Sequence, residues 1–425
     1  MINNTIKSDA FIDYVRLSRW FQNKNEKIIE IKIHDFGEFN DVVFLILNIK
    51  TESNNYLYYY PMVFAENEYK DAVKYRSYAD TIIELFKKNS IIKCNNGIIK
   101  FVKTGNFKID SNRFSLIKSE QSNSSFIINN IIVKNYRYLQ YGQNPDITMI
   151  NHLIKNGFYN VPEPFGYALY ESKDVIYIMN ATRYIENSSD LWSYSLNKIN
   201  SMIKNGNYND IKDYIINMSR DLGILTGKMH IALYKSYDPE FIPEKSSLND
   251  INNIINETLK NFKDSNVLND GIILFFKNKF ESIIKNGNIN IPKFRIHGDY
   301  HLGQILISDK LYVIDFEGEP MRDISERSKK SIPLRDAAGM MRSLSYLINS
   351  FPGYFDTSIE KASNDEFLNY YKQNVKDIID FNDDVMCIFL MQKALYELLY
   401  EIRNRPAWVN IPLNYIKNVY LNLRS

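Results

Sequence analysis

Arg295-Ile-His-Gly-Asp-Tyr-His-Leu-Gly-Gln304, followed by Tyr312-Val-Ile-Asp-Phe-Glu-Gly-Glu-Pro320, is the stretch from which the rest of the chain can be understood. The first block reads as a loop between short strands, the second as a strand that delivers an acid at its end. Asp299, Gln304 and Asp315 are the polar groups that matter most. One carboxylate can face an attacking hydroxyl, while an amide oxygen and a second carboxylate can hold a divalent cation on phosphate oxygens. Transfer of a phosphoryl group from a nucleotide requires such a set. Taken singly, His-Gly-Asp is a turn and Asp-Phe-Glu a capped strand end. Their order and spacing carry the chemistry.

Gln304 lies five residues after Asp299, as Asn follows Asp in H-R-D-x-x-x-x-N, and Asp315-Phe-Glu stands where that pattern has D-F-G. The blocks His297-Gly-Asp-x-His-x-Gly-Gln304 and Asp315-Phe-Glu-Gly-Glu-Pro320 resemble the maltokinases, relatives of the aminoglycoside phosphotransferases. The likeness extends to Arg19-Trp-Phe21, Glu120-Gln-Ser-Asn-Ser-Ser125, Val133-Lys-Asn-Tyr-Arg137, Gly142-Gln-Asn-Pro-Asp146, Pro333 to Arg342, Lys393-Ala-Leu-Tyr-Glu397 and Asn404-Arg-Pro406. It implies an α+β, bilobal kinase-like fold with an additional N-terminal α/β cap subdomain and a mainly helical C-terminal lobe. The expected parts are a cap at 1–89, a nucleotide-binding lobe at 90–185, and a helical lobe with the acceptor site at 186–425. The implied activity is phosphorylation of maltose to maltose 1-phosphate by ATP and Mg²⁺.

Within that frame Asp299 is the expected base and orienting group, and His301 is placed to contact the transferring phosphate or brace the turn. Gln304 and Asp315 are the expected Mg²⁺ ligands, with Glu317 extending the metal site, orienting Asp299 or holding the loop. Hard oxygen donors suit this ion. Gln121, Ser122, Asn123 and Ser124 lie in the segment expected to cover the ATP phosphates, and Lys134 on its apolar strand is placed to reach them. The helix that begins near Asn144-Pro145 should supply an acid to Lys134. Thr148 stands where relatives have Glu, with Asp146 nearby. Lys393, Tyr396, Glu397 and Tyr400 share a helix face by spacing, and that mixture of cation, aromatic rings and acid suits a sugar; in isolation it is also the pattern of an ordinary amphipathic helix. His230 and His297 read as structural, and Arg335-Asp336 as an internal ion pair supporting the loop.

Two other functions compete. A glucosamine kinase shares both blocks, but an amine-bearing acceptor calls for an extra acid, and Ser345 and Ala407 stand where relatives carry one. A nucleotide-binding sensor with weak turnover is favoured by Thr148 alone. The bulk numbers narrow the field further. The 425 residues are 45% hydrophobic and 24% charged, enough for a sizeable core, and a net charge of +2 offers no field for nucleic acid or an acidic membrane. Cys94 and Cys387 give neither a disulfide framework nor metal-ligand spacing. Without a signal pattern or an apolar run long enough to span a bilayer, the expected location is cytoplasmic. Strands are expected at 28–34, 42–50 and 56–64 and a helix from Glu68 to Lys88.

Overall fold

A computed structural model describes residues 2–424 except 107, 110–111, 118–122, 237, 287–289, 319–323 and 356. They form two compact units, Met1–Asn151 with Pro162–Asn187, and His152–Val161 with Ser188–Ser425.

The first unit opens with helices α1 (Ile2–Ile6) and α2 (Asp9–Leu17), then strands β1 (Ile28–Phe39), β2 (Val42–Thr51), β3 (Asn55–Ala65) and β4 (Glu68–Asp71). Helix α3 (Arg76–Lys87) leads to β5 (Ile91–Lys93), β6 (Ile98–Lys103), β7 (Phe114–Leu116), β8 (Asn123–Ile128), β9 (Ile131–Tyr136) and β10 (Tyr138–Leu139). Helix α4 (Pro145–Lys155), β11 (Pro164–Glu171) and β12 (Val175–Arg183) follow. One sheet runs β1-β2-β3-β10 with β4 on β3; the other runs β5-β6-β11-β12-β9-β8-β7. The unbroken apolar run Val42-Val-Phe-Leu-Ile-Leu47 is explained by the two faces of β2. Val43, Leu45 and Leu47 pack with Trp20, Phe21 and Tyr58 on one side. Val42, Phe44 and Ile46 pack with Phe86 and Phe101 on the other. A strand covered on both faces loses the alternation of polar and apolar residues.

The helix expected over Glu68–Lys88 is shorter. Glu66 and Asn67 both take positive φ, 55° and 65°, and close a two-residue turn that returns Glu68–Asp71 as β4 against β3. The helix starts only at Arg76. Asp71, left at the end of β4, becomes the anchor of this unit. Its carboxylate takes both bonds from Arg137 Nη2, at 2.8 and 2.7 Å, and both side chains are buried. The guanidinium lies 5.3 Å from the Trp20 ring and 5.4 Å from that of Tyr60. Its Nε donates to Ser124 Oγ at 2.9 Å. A second buried chain reaches the same residue: Tyr78 donates to Asn135 Oδ1 at 2.8 Å, and Asn135 Nδ2 donates to the Ser124 carbonyl at 3.0 Å.

The second unit is mainly helical: α5 (Leu191–Lys204), α6 (Tyr208–Tyr234), α7 (Leu248–Asp264), α8 (Asp270–Asn286), α9 (Ile324–Arg327), α10 (Leu334–Asn349), α11 (Thr357–Val375), α12 (Asp383–Asn404) and α13 (Asn410–Arg424). Short strands β13 (Ser189–Asp190), β16 (Ile305–Ile307) and β17 (Leu311–Val313) form one small sheet, and β14 (Glu244–Lys245) pairs with β15 (Pro292–Lys293). Helix α6 packs along α11, and α12 lies against both α7 and α10. Gly227 makes the α6–α11 approach feasible, since a Cβ there would sit 2.5 Å from Asn374 Cβ. Among the described residues no helix is long and apolar enough to cross a membrane.

Removing the charge of Asp71 strands a buried guanidinium. Asp71→Asn is expected to cost about 3–5 kcal/mol, read as a lower urea midpoint at unchanged slope. A loss below about 1 kcal/mol would show that Arg137 is not dependent on this partner.

Candidate active site

The loop at 295–304 is held from below by one carboxylate. Asp336, fully buried in the first turn of α10, accepts the His297 N–H at 2.8 Å and the Gly298 N–H at 2.9 Å. His230 Nε2 approaches the same carboxylate at 3.2 Å, with its Nδ1 2.9 Å from the Tyr371 hydroxyl. Burial alone would raise the Asp336 carboxyl, but His230, the His297 ring and the Gly298 N–H outweigh it and hold it below its ordinary value. Helix α10 can come this close because Gly339 has no side chain; a Cβ there would lie 2.7 Å from the Tyr300 carbonyl. The support expected of an Arg335–Asp336 ion pair comes instead from Asp336 bonded to loop amides and to His230, and His230 is the structural residue the sequence suggested.

The two motif blocks are stitched together by His297 and Gln304. His297 Nδ1 accepts the Asp299 N–H at 3.4 Å, and its Nε2 donates to the Ile314 carbonyl at 3.0 Å. The Gln304 carbonyl accepts the Ile314 N–H at 3.0 Å, and Gln304 Nε2 donates to Asp315 Oδ2 at 3.1 Å. Asp315 itself has φ +64°, a left-handed conformation that costs a non-glycine residue roughly 1–3 kcal/mol and persists where the surroundings enforce it. Gln304 and Asp315 therefore come together side by side. Glu317 lies further along, with Arg327 Nη1 3.9 Å from its carboxylate and donating to its carbonyl at 3.3 Å. Among the described residues no group of three or more His, Cys, Asp or Glu is arranged to hold a metal. An ion shared by Gln304 and Asp315 would complete its shell with phosphate oxygens and water, as Mg²⁺ does.

Asp299 is partly exposed. Lys393 Nζ, from α12, stands 3.5 Å from its Oδ1, and His301 Nε2 stands 4.0 Å from its Oδ2. His301 Nδ1 accepts the Gly303 N–H at 3.1 Å, so the ring carries its proton on Nε2, the nitrogen facing Asp299. Burial lowers the His301 pKa; Asp299 and Asp315 oppose that shift, and Lys393 and His297 add to it. The candidate sugar residues on α12 divide. Lys393 turns to Asp299, with Tyr396 beside it, the lysine Nζ 5.1 Å from the ring centroid. Glu397 receives both Nε and Nη2 of buried Arg342, at 3.0 and 2.8 Å; burial raises its pKa against the pull of Arg342 and Lys393. Tyr400 is exposed, with Arg405 5.3 Å from its ring.

In the first unit, Lys134 shares the half-exposed face of β9 with Ile132 and pairs across the sheet with Asn180. Asn180 Nδ2 donates to buried Asp146 at 3.2 Å. Asp146 thus sits beside the lysine's cross-strand neighbour. The Thr148 hydroxyl instead turns back on its own helix, donating to the Asn144 and Pro145 carbonyls at 3.3 and 3.4 Å. Asn123 and Ser124 begin β8, Ser124 being the residue held by Arg137 and Asn135; Gln121 and Ser122 lie outside the described residues.

Sequence reasoning missed a small cavity against the Asp299 loop, about 30 Å³ and lined in part by Gly298, Tyr300, Glu257, Asn261 and Gln392. Glu257 and Asn261 are separated by one helical turn of α7, a signal too common to single out in a long polar helix.

The chain can be compared with known proteins on this footing. No family model matches it. A glucosamine kinase of Mycolicibacterium smegmatis is 22% identical over 311 residues, covering 70% of this chain and 77% of that protein. One of Streptacidiphilus jiangxiensis is 23% identical over 314 residues, covering 69% and 70%. A solved structure of glucosamine kinase in complex with glucosamine, ADP and inorganic phosphate superposes with a TM-score of 0.73 at 17% identity, over 92% of this chain and 94% of that one. The fold is kinase-like. Glucosamine kinase in crystal form A superposes with a TM-score of 0.72 at 16% identity, over 96% of this chain and 98% of that one. The α+β class and the kinase-like architecture expected from the two motif blocks therefore stand.

Asp336→Asn would set an amide N–H₂ against loop donors and is expected to cost about 3–5 kcal/mol. Because the folded carboxyl lies below its ordinary value, its contribution is full above about pH 4 and fades as pH falls through the folded value. Urea unfolding should show the gap between wild type and variant narrowing below pH 4. A gap that is constant with pH would remove Asp336 as the titrating support.

Proposed function

We propose that the chain is a phosphotransferase that moves the γ-phosphoryl group of ATP to a hydroxyl of glucosamine. The observation that carries this is the superposition of nearly the whole chain on glucosamine kinase, together with an Asp299, Gln304 and Asp315 set in the order phosphoryl transfer needs. Maltose, the acceptor that the motif resemblance put first, is the second reading. The two curated relatives favour the amino sugar.

Asp299 orients the acceptor hydroxyl and takes its proton at one carboxylate oxygen. Lys393, 3.5 Å away, fixes that carboxylate in place, and positioning supplies most of the catalysis in this chemistry. His301, with its Nε2–H turned to the same carboxylate, steadies the opposite oxygen and is available to the transferring group. Gln304 and Asp315 would hold Mg²⁺, with Glu317 beyond them, and that ion would neutralise charge on the phosphate oxygens. Lys134 and the 121–124 segment are assigned to the phosphates, with Asp146 and Asn180 orienting the lysine's surroundings. Lys393, Tyr396, Glu397 and Tyr400 are assigned to the acceptor side, Glu397 through its clamp on Arg342. The division into a cap at 1–89, a nucleotide lobe at 90–185 and a helical lobe at 186–425 is part of the same proposal.

ADP release with MgATP, measured on glucosamine, maltose, glucose, trehalose and no sugar, tests it. Release is expected with glucosamine and should fall about 10²–10⁴-fold in Asp299→Asn. Release with maltose alone would keep the reaction type and change the acceptor. ATP binding without release on any sugar would replace the kinase by a nucleotide sensor.

A further inference from the structure

We propose that Arg342 is a positioning residue of the reaction, which by holding Glu397 keeps Lys393 on the Asp299 carboxylate, an inference that rests on the kinase reading above and not on the choice of acceptor. All of these residues lie within the second unit.

Lys393, Glu397 and Glu401 follow one another in steps of four along α12, so they share one face of the helix. A lysine with an acid one turn away has the spacing of a helical ion pair. Lys393 Nζ nevertheless stands 3.5 Å from Asp299 Oδ1, on the catalytic loop. Glu397 attracts the same ammonium: burial raises its pKa, and Arg342 and Lys393 are the cations that pull against that rise. Two acids therefore compete for one lysine.

Arg342, from α10, settles the competition. Its Nε and Nη2 both donate to Glu397 Oε2, at 3.0 and 2.8 Å. Its Cζ lies 3.8 Å from the centroid of the Tyr415 ring on α13 and 5.6 Å from that of Tyr346. The guanidinium is thus fixed on its face as well as at its edge, which a lysine could not reproduce. The next acid along α12 is treated in the same way, since Arg405 donates to both oxygens of Glu401 at 2.9 and 2.6 Å. Each acid on this face has its own arginine, and the lysine goes to the acid of another element.

Stability does not account for Arg342. Desolvating a guanidinium and a carboxylate offsets most of their attraction, so a packed apolar pair would serve the core as well. Its buried Nη1 has no hydrogen-bond partner among the described residues, which adds to the cost. What the pair does for Lys393 accounts for it: with Glu397 neutralised, the lysine is drawn to Asp299 and fixes the carboxylate that orients the acceptor hydroxyl.

Steady-state ADP release by the full-length protein, on glucosamine and on maltose, tests the role, with rates referred to the amount of protein that binds ATP. Arg342→Met leaves Glu397 a buried carboxylate beside Lys393, and kcat is expected to fall about 10²-fold, the scale of a misplaced reacting group. The KM for ATP should stay within about threefold, because ground-state nucleotide binding is not touched. Adding Glu397→Gln removes the competing charge and should bring kcat back to within about tenfold of wild type, the non-additivity expected of coupled groups. Arg342→Gln, which can donate to Glu397 without neutralising it, should show the same loss and serves if Arg342→Met does not fold. A merely structural arginine would lower the urea midpoint and leave kcat of the folded protein unchanged. That result, or a double variant no faster than Arg342→Met, would overturn the inference and leave the kinase assignment standing. A wild type that binds ATP but releases no ADP on either sugar would overturn the kinase reading and this inference with it.

Discussion

The second unit depends on one buried carboxylate. Asp336 satisfies two consecutive backbone N–H groups of a loop that has no ladder or helix to satisfy them, and an unpaired buried amide is costly. Its own charge is tolerable because His230 stands against it and Tyr371 holds His230. The chain of contacts from α11 through α6 to α10 therefore ends on the backbone that presents Asp299. Gly227 and Gly339 are the places where this arrangement leaves no room for a side chain. His297 carries the constraint onward, tying the Asp299 amide to the carbonyl just before Asp315. Two short motifs, separated in sequence by a strand, become one rigid object.

The first unit solves a similar problem with Arg137. It is buried among Trp20, Tyr60 and Asp71, and its remaining Nε secures Ser124. The residues of the N-terminal sheet and those of β8 are therefore linked through charged and aromatic contacts rather than by apolar packing alone. Such a site is less stabilising than its short distances suggest, since both charges must be desolvated. Its value is directional, because a guanidinium satisfied on several sides admits one placement of the strands around it.

The charged groups near Asp299 come from more than one helix. Lys393, from α12, stands against the Asp299 carboxylate, and Asp336, from α10, holds the loop amides beneath it. Glu397, the acid that the α12 spacing points to, is instead clamped by Arg342, so its influence on an acceptor passes through that pair. Departures from the maltokinase pattern at Thr148, Ser345 and Ala407 each remove a carboxyl group or its reach. In the case of Thr148, Asp146 occupies the neighbouring ground through Asn180.

The sequence by itself determined the kinase-like class and the loop that carries Asp299, Gln304 and Asp315, because these residues are close in the chain and their spacing is set by local turns. It also determined the strands β1 to β3, whose β-branched and aromatic residues have no other suitable conformation. Elements governed by longer range were not legible. Glu66 and Asn67 could close a turn or continue a helix, and only pairing with β3 settles it. Asp336 looks like an ordinary helix acid, as Arg137 looks like an ordinary strand end. What distinguishes them is the company brought by folding: amides of a loop and an aromatic cage. Burial and unpaired backbone groups give those side chains their roles, and both are properties of the packed chain rather than of its order.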